Sequence, residues 1–149
     1  MTIYDTQSQA ARAASLAAVH AGIRLMLADD HRMLREGLRR SMAEQGFDMV
    51  GEARDGAEAV ELARVLQPDV ILMDINLPGM SGLDALKILK EWPETKDIPV
   101  IALTAAASER DRQRGERAGF YRYITKPVRV DELERALEAV LHDDLPRSS

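Results

Sequence analysis

The sequence predicts a doubly wound α/β domain built on a five-stranded parallel sheet flanked by five helices. Two patterns carry that expectation. Between Ile23 and His142, short apolar runs alternate with segments whose apolar residues recur at helical spacing. The first, third and fourth runs are almost uninterruptedly apolar, as strands covered on both faces must be.

Taken in order, Ile23–Ala28 (IRLMLA) reads as the first strand, stopped by Asp29 and Asp30. His31–Gln45 carries Met33, Leu34, Leu38 and Met42 at helical spacing, and Gly46 ends it. Met49–Ala53 is the second strand. Gly56–Gln67 is a helix with Ala59, Val60, Ala63 and Leu66 on one face, closed by Pro68. Val70–Met73 is the third strand and runs into Asp74. A loop with Pro78, Gly79 and Gly82 leads to a helix over Leu83–Glu91, broken by Pro93. Val100–Leu103 is the fourth strand, ending at Thr104. Ser108–Ala118 is a polar helix that Gly119 stops. Phe120–Ile124 is the fifth strand, followed by Lys126-Pro127. Asp131–Leu141 is the last helix, with Leu133, Leu137 and Val140 turned inward. Parallel strands joined this way need right-handed crossovers. The domain is thus expected over residues 23–142. Residues 1–22 are Ala-rich and are expected to be a tail or short extra helix, since they lack the basic opening of a signal peptide. Residues 143–149 are expected to be a C-terminal tail.

Composition narrows the chemistry. A length of 149 residues suits one domain with a core that needs no staples. With no Cys, thiolate metal sites, disulfides and cysteine nucleophiles are excluded. The net charge of −5 argues against a nucleic-acid or anionic-membrane surface. No apolar run approaches the roughly 20 residues of a membrane span. A cytoplasmic protein is therefore expected. His20, His31 and His142 are dispersed, so carboxylate oxygens are the expected ligands of any metal.

An open parallel sheet binds its ligands beyond the carboxyl ends of its strands. At those ends stand Asp29 and Asp30, then Asp74, Thr104 and Lys126, while Arg54-Asp55 after the second strand has no evident role. Each has an ordinary reading alone, as a cap, a turn residue or a surface charge; their convergence is what points to chemistry. Three carboxylates in one pocket repel, and a hard cation such as Mg²⁺ relieves that. A carboxylate can attack phosphorus and form an aspartyl phosphate. Lys126, the Thr104 hydroxyl and the cation would supply the charge and donors such a transfer needs. Asp74, in the central strand, is the expected nucleophile.

The segments LMLADD (25–30), VILMDINLPGMSG (70–82), VIALTA (100–105) and YITKP (123–127), with Lys126 standing 52 residues beyond Asp74, resemble the receiver domain of two-component response regulators. The resemblance covers about residues 23–141. It implies a flavodoxin-like fold with strand order 2-1-3-4-5. It also implies that Asp74 is the phosphoacceptor, and that Asp29, Asp30, Asp74 and the backbone carbonyl of Asn76 hold Mg²⁺. Lys126 and Thr104 would contact the phosphoryl group, with Thr104 and Tyr123 forming a switch pair. The Lys126–Pro127 bond would be cis. Phe120 departs from the small residue usual in the family. A histidine kinase or histidine phosphotransfer protein would dock near Met33, Leu34, Gly37, Pro127 and Val128. A downstream protein would read the face of the fourth helix, fifth strand and fifth helix, and homodimer formation stays open.

The first half of the chain resembles receivers attached to DNA-binding domains and the second half those of hybrid kinases; no output domain is expected to follow. The expected role is thus a single-domain response regulator, a switch rather than a turnover enzyme. A haloacid-dehalogenase-type phosphatase would need a second Asp two residues beyond the nucleophile, where Asn76 stands. A docking module without phosphorylation and a phosphate sink or relay are the remaining alternatives. His31 is read as a surface or capping residue, Trp92 as packing or surface, and the mixed charges of Arg110, Arg112, Arg114 and Arg117 as a solvated helix face or a partner surface.

Overall fold

A computed structural model describes residues 20–105 and 109–144 of the chain. The expected tail up to residue 19, the expected helix start at Ser108 and the end of the chain from 145 lie outside the described residues. The elements are β1 (Arg24–Ala28), α1 (Arg32–Glu44), β2 (Asp48–Ala53), α2 (Gly56–Leu66), β3 (Val70–Asp74), α3 (Gly82–Glu91), β4 (Val100–Thr104), α4 (Glu109–Ala118), β5 (Arg122–Thr125) and α5 (Val130–Asp144). Every strand pair is parallel, and the order is β2-β1-β3-β4-β5. This is the expected fold and strand order. The chain steps from β1 outward to β2 and then back across to β3, so the order reverses between the carboxyl ends of β1 and β3. A crevice opens at such a reversal.

Alternation along the strands feeds two cores. Met26, Ala28, Ile71, Met73, Val100 and Ala102 point to one side, where Ala59, Val60 and Ala63 of α2 and Ala85, Leu86 and Leu89 of α3 cover them. Leu25, Leu27, Val70, Leu72, Ile101 and Leu103 point to the other, against Leu38 and Met42 of α1 and Leu133, Leu137 and Val140 of α5. Each large aliphatic side chain buried this way contributes about 1.5–3 kcal/mol. The central strands are therefore held rigidly, and so are the residues at their ends.

Capping accounts for the pair left without a role. The Asp55 carboxylate accepts the Glu58 N–H at 2.8 Å, starting α2, while Glu58 accepts the Arg54 N–H at 2.7 Å. Ser81 caps α3 by accepting the Asp84 N–H at 3.1 Å.

The structure corrects two expectations. Met33 does not belong to the inward stripe of α1: it is 85% exposed, and the stripe runs through Leu38 and Met42 with Leu34 at its edge. Phe120 is buried but precedes β5, which starts at Arg122. Its side chain packs under the sheet without its backbone joining the ladder, a distinction an apolar run cannot make.

Two glycines are demanded by close backbone approach. A Cβ on Gly82 would collide with the Asp74 carbonyl, and one on Gly56 with the Met80 carbonyl. Gly82 lies so close because its N–H donates to the Ile75 carbonyl at 2.7 Å, folding the loop after β3 back on itself. Gly37, by contrast, is an exposed position inside α1 with open space around it. In urea unfolding, Gly82→Ala is expected to lose about 1–3 kcal/mol, and Gly37→Ala to gain about 1 kcal/mol from helix propensity. A Gly82→Ala variant as stable as the wild type would show that the Gly82 approach is not a constraint.

Candidate functional site: an acidic pocket at the carboxyl ends of β1, β3 and β5

Asp29 follows β1 directly. Its N–H donates to the Ala53 carbonyl at 3.0 Å, and the Arg35 guanidinium donates to its carbonyl at 2.7 Å. These bonds fix a side chain that is fully buried. Oδ1 accepts the His31 N–H at 2.8 Å, and Oδ2 accepts Lys126 Nζ at 2.8 Å. Asp74 ends β3 and is equally buried. Its Oδ1 accepts the Asn76 N–H at 2.9 Å, and its Oδ2 accepts the same Lys126 Nζ at 2.9 Å. Asp30 is partly open to solvent. One ligand atom from each of Asp29, Asp30, His31 and Asp74 falls within 4.8 Å of the others.

Burial pulls the Lys126 ammonium down, but hydrogen bonds and charge from Asp29 and Asp74 outweigh it and raise the group above its ordinary 10.5. One lysine against Asp29, Asp30 and Asp74 leaves an excess of negative charge. An oxygen-rich, carboxylate-dominated pocket with that excess suits a hard divalent cation of the Mg²⁺ type. Three of the expected metal ligands, Asp29, Asp30 and Asp74, are therefore brought together. The fourth, Asn76, directs its N–H at Asp74.

Thr104 ends β4 and is buried, and its carbonyl accepts the Lys126 N–H at 2.7 Å. Beside Asp74 is a cavity of about 250 Å³ lined by Ile75, Asn76, Ser81, Leu83, Thr104, Arg114 and Tyr123. Thr104 and Tyr123 thus share one space. Tyr123 is half-buried, with its ring 5.9 Å from that of Phe120 and tilted by 57°. Phe120 therefore acts as a wall for the tyrosine. The Lys126–Pro127 bond is cis.

Of the expected docking residues, Met33 and Gly37 are exposed on α1 beside Glu36 and Arg40, Leu34 is half-buried, Pro127 is exposed and Val128 packs on the core that α1 and α5 cover. Trp92 packs on the other core, with the Arg64 guanidinium over its ring at 5.6 Å.

Sequence reasoning missed three members. His31 is the exposed N-cap residue of α1, in line with its reading as a surface or capping residue, but its closeness to the acids was not expected. His31 Nδ1 lies 3.0 Å from Asp29 Oδ1 and 3.3 Å from Asp30 Oδ1. Adjacency to the acid pair was the available signal. Arg35, one turn beyond, carried none. Arg114 enters the pocket lining from a helix that reads as uniformly charged.

The comparisons with known proteins agree with this geometry. The family model for the response regulator receiver domain matches residues 25–138, and the chain belongs to that family. It is 38% identical over 119 residues to the polar-differentiation response regulator DivK of Brucella anthropi, covering 80% of this chain and 96% of DivK. It is 36% identical over 115 residues to the transcriptional regulatory protein PdtaR of Mycobacterium tuberculosis, covering 77% of this chain but only 55% of PdtaR, so the chain spans about half the length of that relative. Among solved structures it is similar to the receiver domain of the sensor histidine kinase PA1611 from Pseudomonas aeruginosa PAO1. That match has a TM-score of 0.76 and 30% identity, and covers 83% of this chain and 100% of that one. The PA1611 structure is described with a magnesium ion coordinated in its active-site cleft.

Mg²⁺ is expected to raise the melting temperature of the wild type, with about 2.7 kcal/mol gained at a hundred times the dissociation constant. Asp30→Asn should respond less at every concentration in the same thermal scan. Lys126, with its folded pKa raised, stabilises the domain fully below about pH 10.5, and that contribution fades as pH rises through the folded value. Lys126→Met should already have lost it at neutral pH. Its unfolding free energy should therefore lack the Lys126 share of the alkaline decline expected for the wild type.

Proposed function

We propose that the domain accepts a phosphoryl group on Asp74 from the phosphohistidine of a histidine kinase or histidine phosphotransfer protein, in a Mg²⁺-dependent reaction. The observation that carries this reading is the buried Asp74 carboxylate, held at the sheet's crevice by Lys126 in one pocket with Asp29 and Asp30. One Asp74 oxygen attacks phosphorus as the phosphorus–nitrogen bond of the donor breaks, and the imidazole leaves with the bonding pair and takes up a proton. An acyl phosphate remains on Asp74, which water later hydrolyses to the carboxylate and inorganic phosphate.

The residues divide this work. The Asn76 N–H on Oδ1 and the rigid end of β3 orient the nucleophile. Lys126 Nζ, already between Asp29 and Asp74, offsets charge on the phosphoryl oxygens. The Thr104 hydroxyl is the donor from β4. Mg²⁺, held by Asp29, Asp30 and Asp74 with the Asn76 carbonyl, supplies the remaining positive charge when bound. The chemistry ends with a changed charge at one residue, so the domain acts as a switch.

Readout follows from the shared cavity. Drawing Thr104 toward the phosphoryl group empties space beside Tyr123, and the ring can turn into it, altering the face of α4, β5 and α5 that a downstream protein reads. The phosphodonor would dock on exposed Met33, with Leu34 and Gly37 on α1, and on Pro127 and Val128 after β5.

Incubation with acetyl phosphate and Mg²⁺ is expected to add the mass of one phosphoryl group to the wild type and none to Asp74→Asn, read by intact-mass spectrometry. Equal labelling of the variant would remove Asp74 from the role. Thr104→Ala should be labelled yet leave the Tyr123 environment unchanged by NMR.

A further inference from the structure

Three buried side-chain atoms among the described residues lack a hydrogen-bond partner: His20 Nε2, Gln45 Oε1 and Glu134 Oε2. Their residues are neighbours. His20, just ahead of β1, is fully buried, and its ring stacks on Phe47 with centroids 4.2 Å apart and planes 14° apart. Its Nδ1–H donates to the Gln45 carbonyl at 2.8 Å. A carbonyl only accepts, so Nδ1 carries a proton. The other nitrogen, Nε2, therefore faces Glu134 and Glu138 with either a lone pair or a second proton. Those two carboxylates stand one helical turn apart on α5.

The separation of Nε2 from Glu138 suits a bridging cation better than a direct hydrogen bond. Nε2 lies 3.6 Å from Glu138 Oε2, too long for a hydrogen bond. That separation is near the edge of a tetrahedron with metal bonds of about 2.0–2.2 Å. Ligand atoms of His20, Glu134 and Glu138 all fall within 4.8 Å of one another. A histidine that donates its far nitrogen to a backbone carbonyl is also in the orientation of a metal-bound imidazole. A lone pair facing two carboxylates beside a buried ring is repulsive, and a divalent ion cancels the charge of both.

We propose that His20 Nε2, Glu134 and Glu138 form a site for one divalent cation of the Zn²⁺ class, pinning the chain ahead of β1 to α5. An imidazole among the donors favours Zn²⁺ over Mg²⁺. The site sits toward the amino-terminal edge of the sheet, whereas Asp29, Asp30 and Asp74 lie at the carboxyl edge. It is therefore separate from the proposed phosphorylation chemistry.

The test is calorimetric titration of the chelator-treated full chain with Zn²⁺ in saturating Mg²⁺. Wild type and His31→Ala are expected to bind one Zn²⁺ alike. Glu138→Gln and Glu134→Gln should bind at least about tenfold more weakly. Because Glu138 is 42% exposed, its substitution leaves the fold intact even if His20 variants do not fold. Nitrogen-15 NMR should show the His20 Nε2 resonance shifting on Zn²⁺ addition. Absence of binding would overturn the proposal, as would binding lost in His31→Ala but kept in Glu138→Gln. So would an Nε2 that holds a proton Zn²⁺ does not displace.

Discussion

One ammonium joins three distant parts of this chain. Lys126 Nζ reaches Asp29, 97 residues away in sequence, and Asp74, 52 residues away, in two bonds of nearly equal length. Removing two carboxylates from water costs several kcal/mol each unless charge and hydrogen bonds compensate. Here a lysine and backbone N–H groups from His31 and Asn76 do so. The arrangement exists only if β1, β3 and β5 end at the same level, so strand order and register are what make the pocket.

The packing supplies that level. Strands buried on both faces cannot slide by one residue without exchanging their two cores. The loop after β3 is then drawn in over Asp74 by the Gly82 N–H to the Ile75 carbonyl, at a spacing no Cβ allows. The Asp74 carboxylate thus sits on a rigid strand with a tightly folded loop beside it. This is the condition for holding a nucleophile in one orientation.

The strands were legible because a doubly covered sheet writes itself as near-continuous apolar runs, and Asp29, Asp30, Asp74, Thr104 and Lys126 were legible because they interrupt those runs at one end. What was not legible depended on neighbours remote in sequence. Met33 fits helical spacing, yet it lies just off the stripe that Leu38 and Met42 bury. His31 is the helix-start residue it looks like, but the side chains of Asp29 and Asp30 turning toward its ring depend on the folded turn. His20 falls in an Ala-rich segment with no periodic signal, and only Phe47 and α5 reveal its burial. Arg54 and Asp55 follow a strand like the pocket residues, but β2 is the edge strand, away from the crevice, and the pair starts α2 instead.

The same contrast bears on how a local event could travel. α2, α3, α1 and α5 each insert buried aliphatic side chains into a core, while α4 (ERDRQRGERA) offers no large apolar residue. An element with so little apolar anchorage opens or shifts at lower cost than its neighbours. α4 also contributes Arg114 to the cavity that Thr104 and Tyr123 share. A new charge on Asp74 would leave the rigid strands where they are and change what Thr104 and the cavity beside it can bond. The least anchored helix, already lining that cavity, is where such a change has the least resistance to overcome. On the proposed reading, the charged surface of α4 is therefore shaped by signalling as much as by solubility: giving it a buried apolar stripe would steady the fold and weaken the switch.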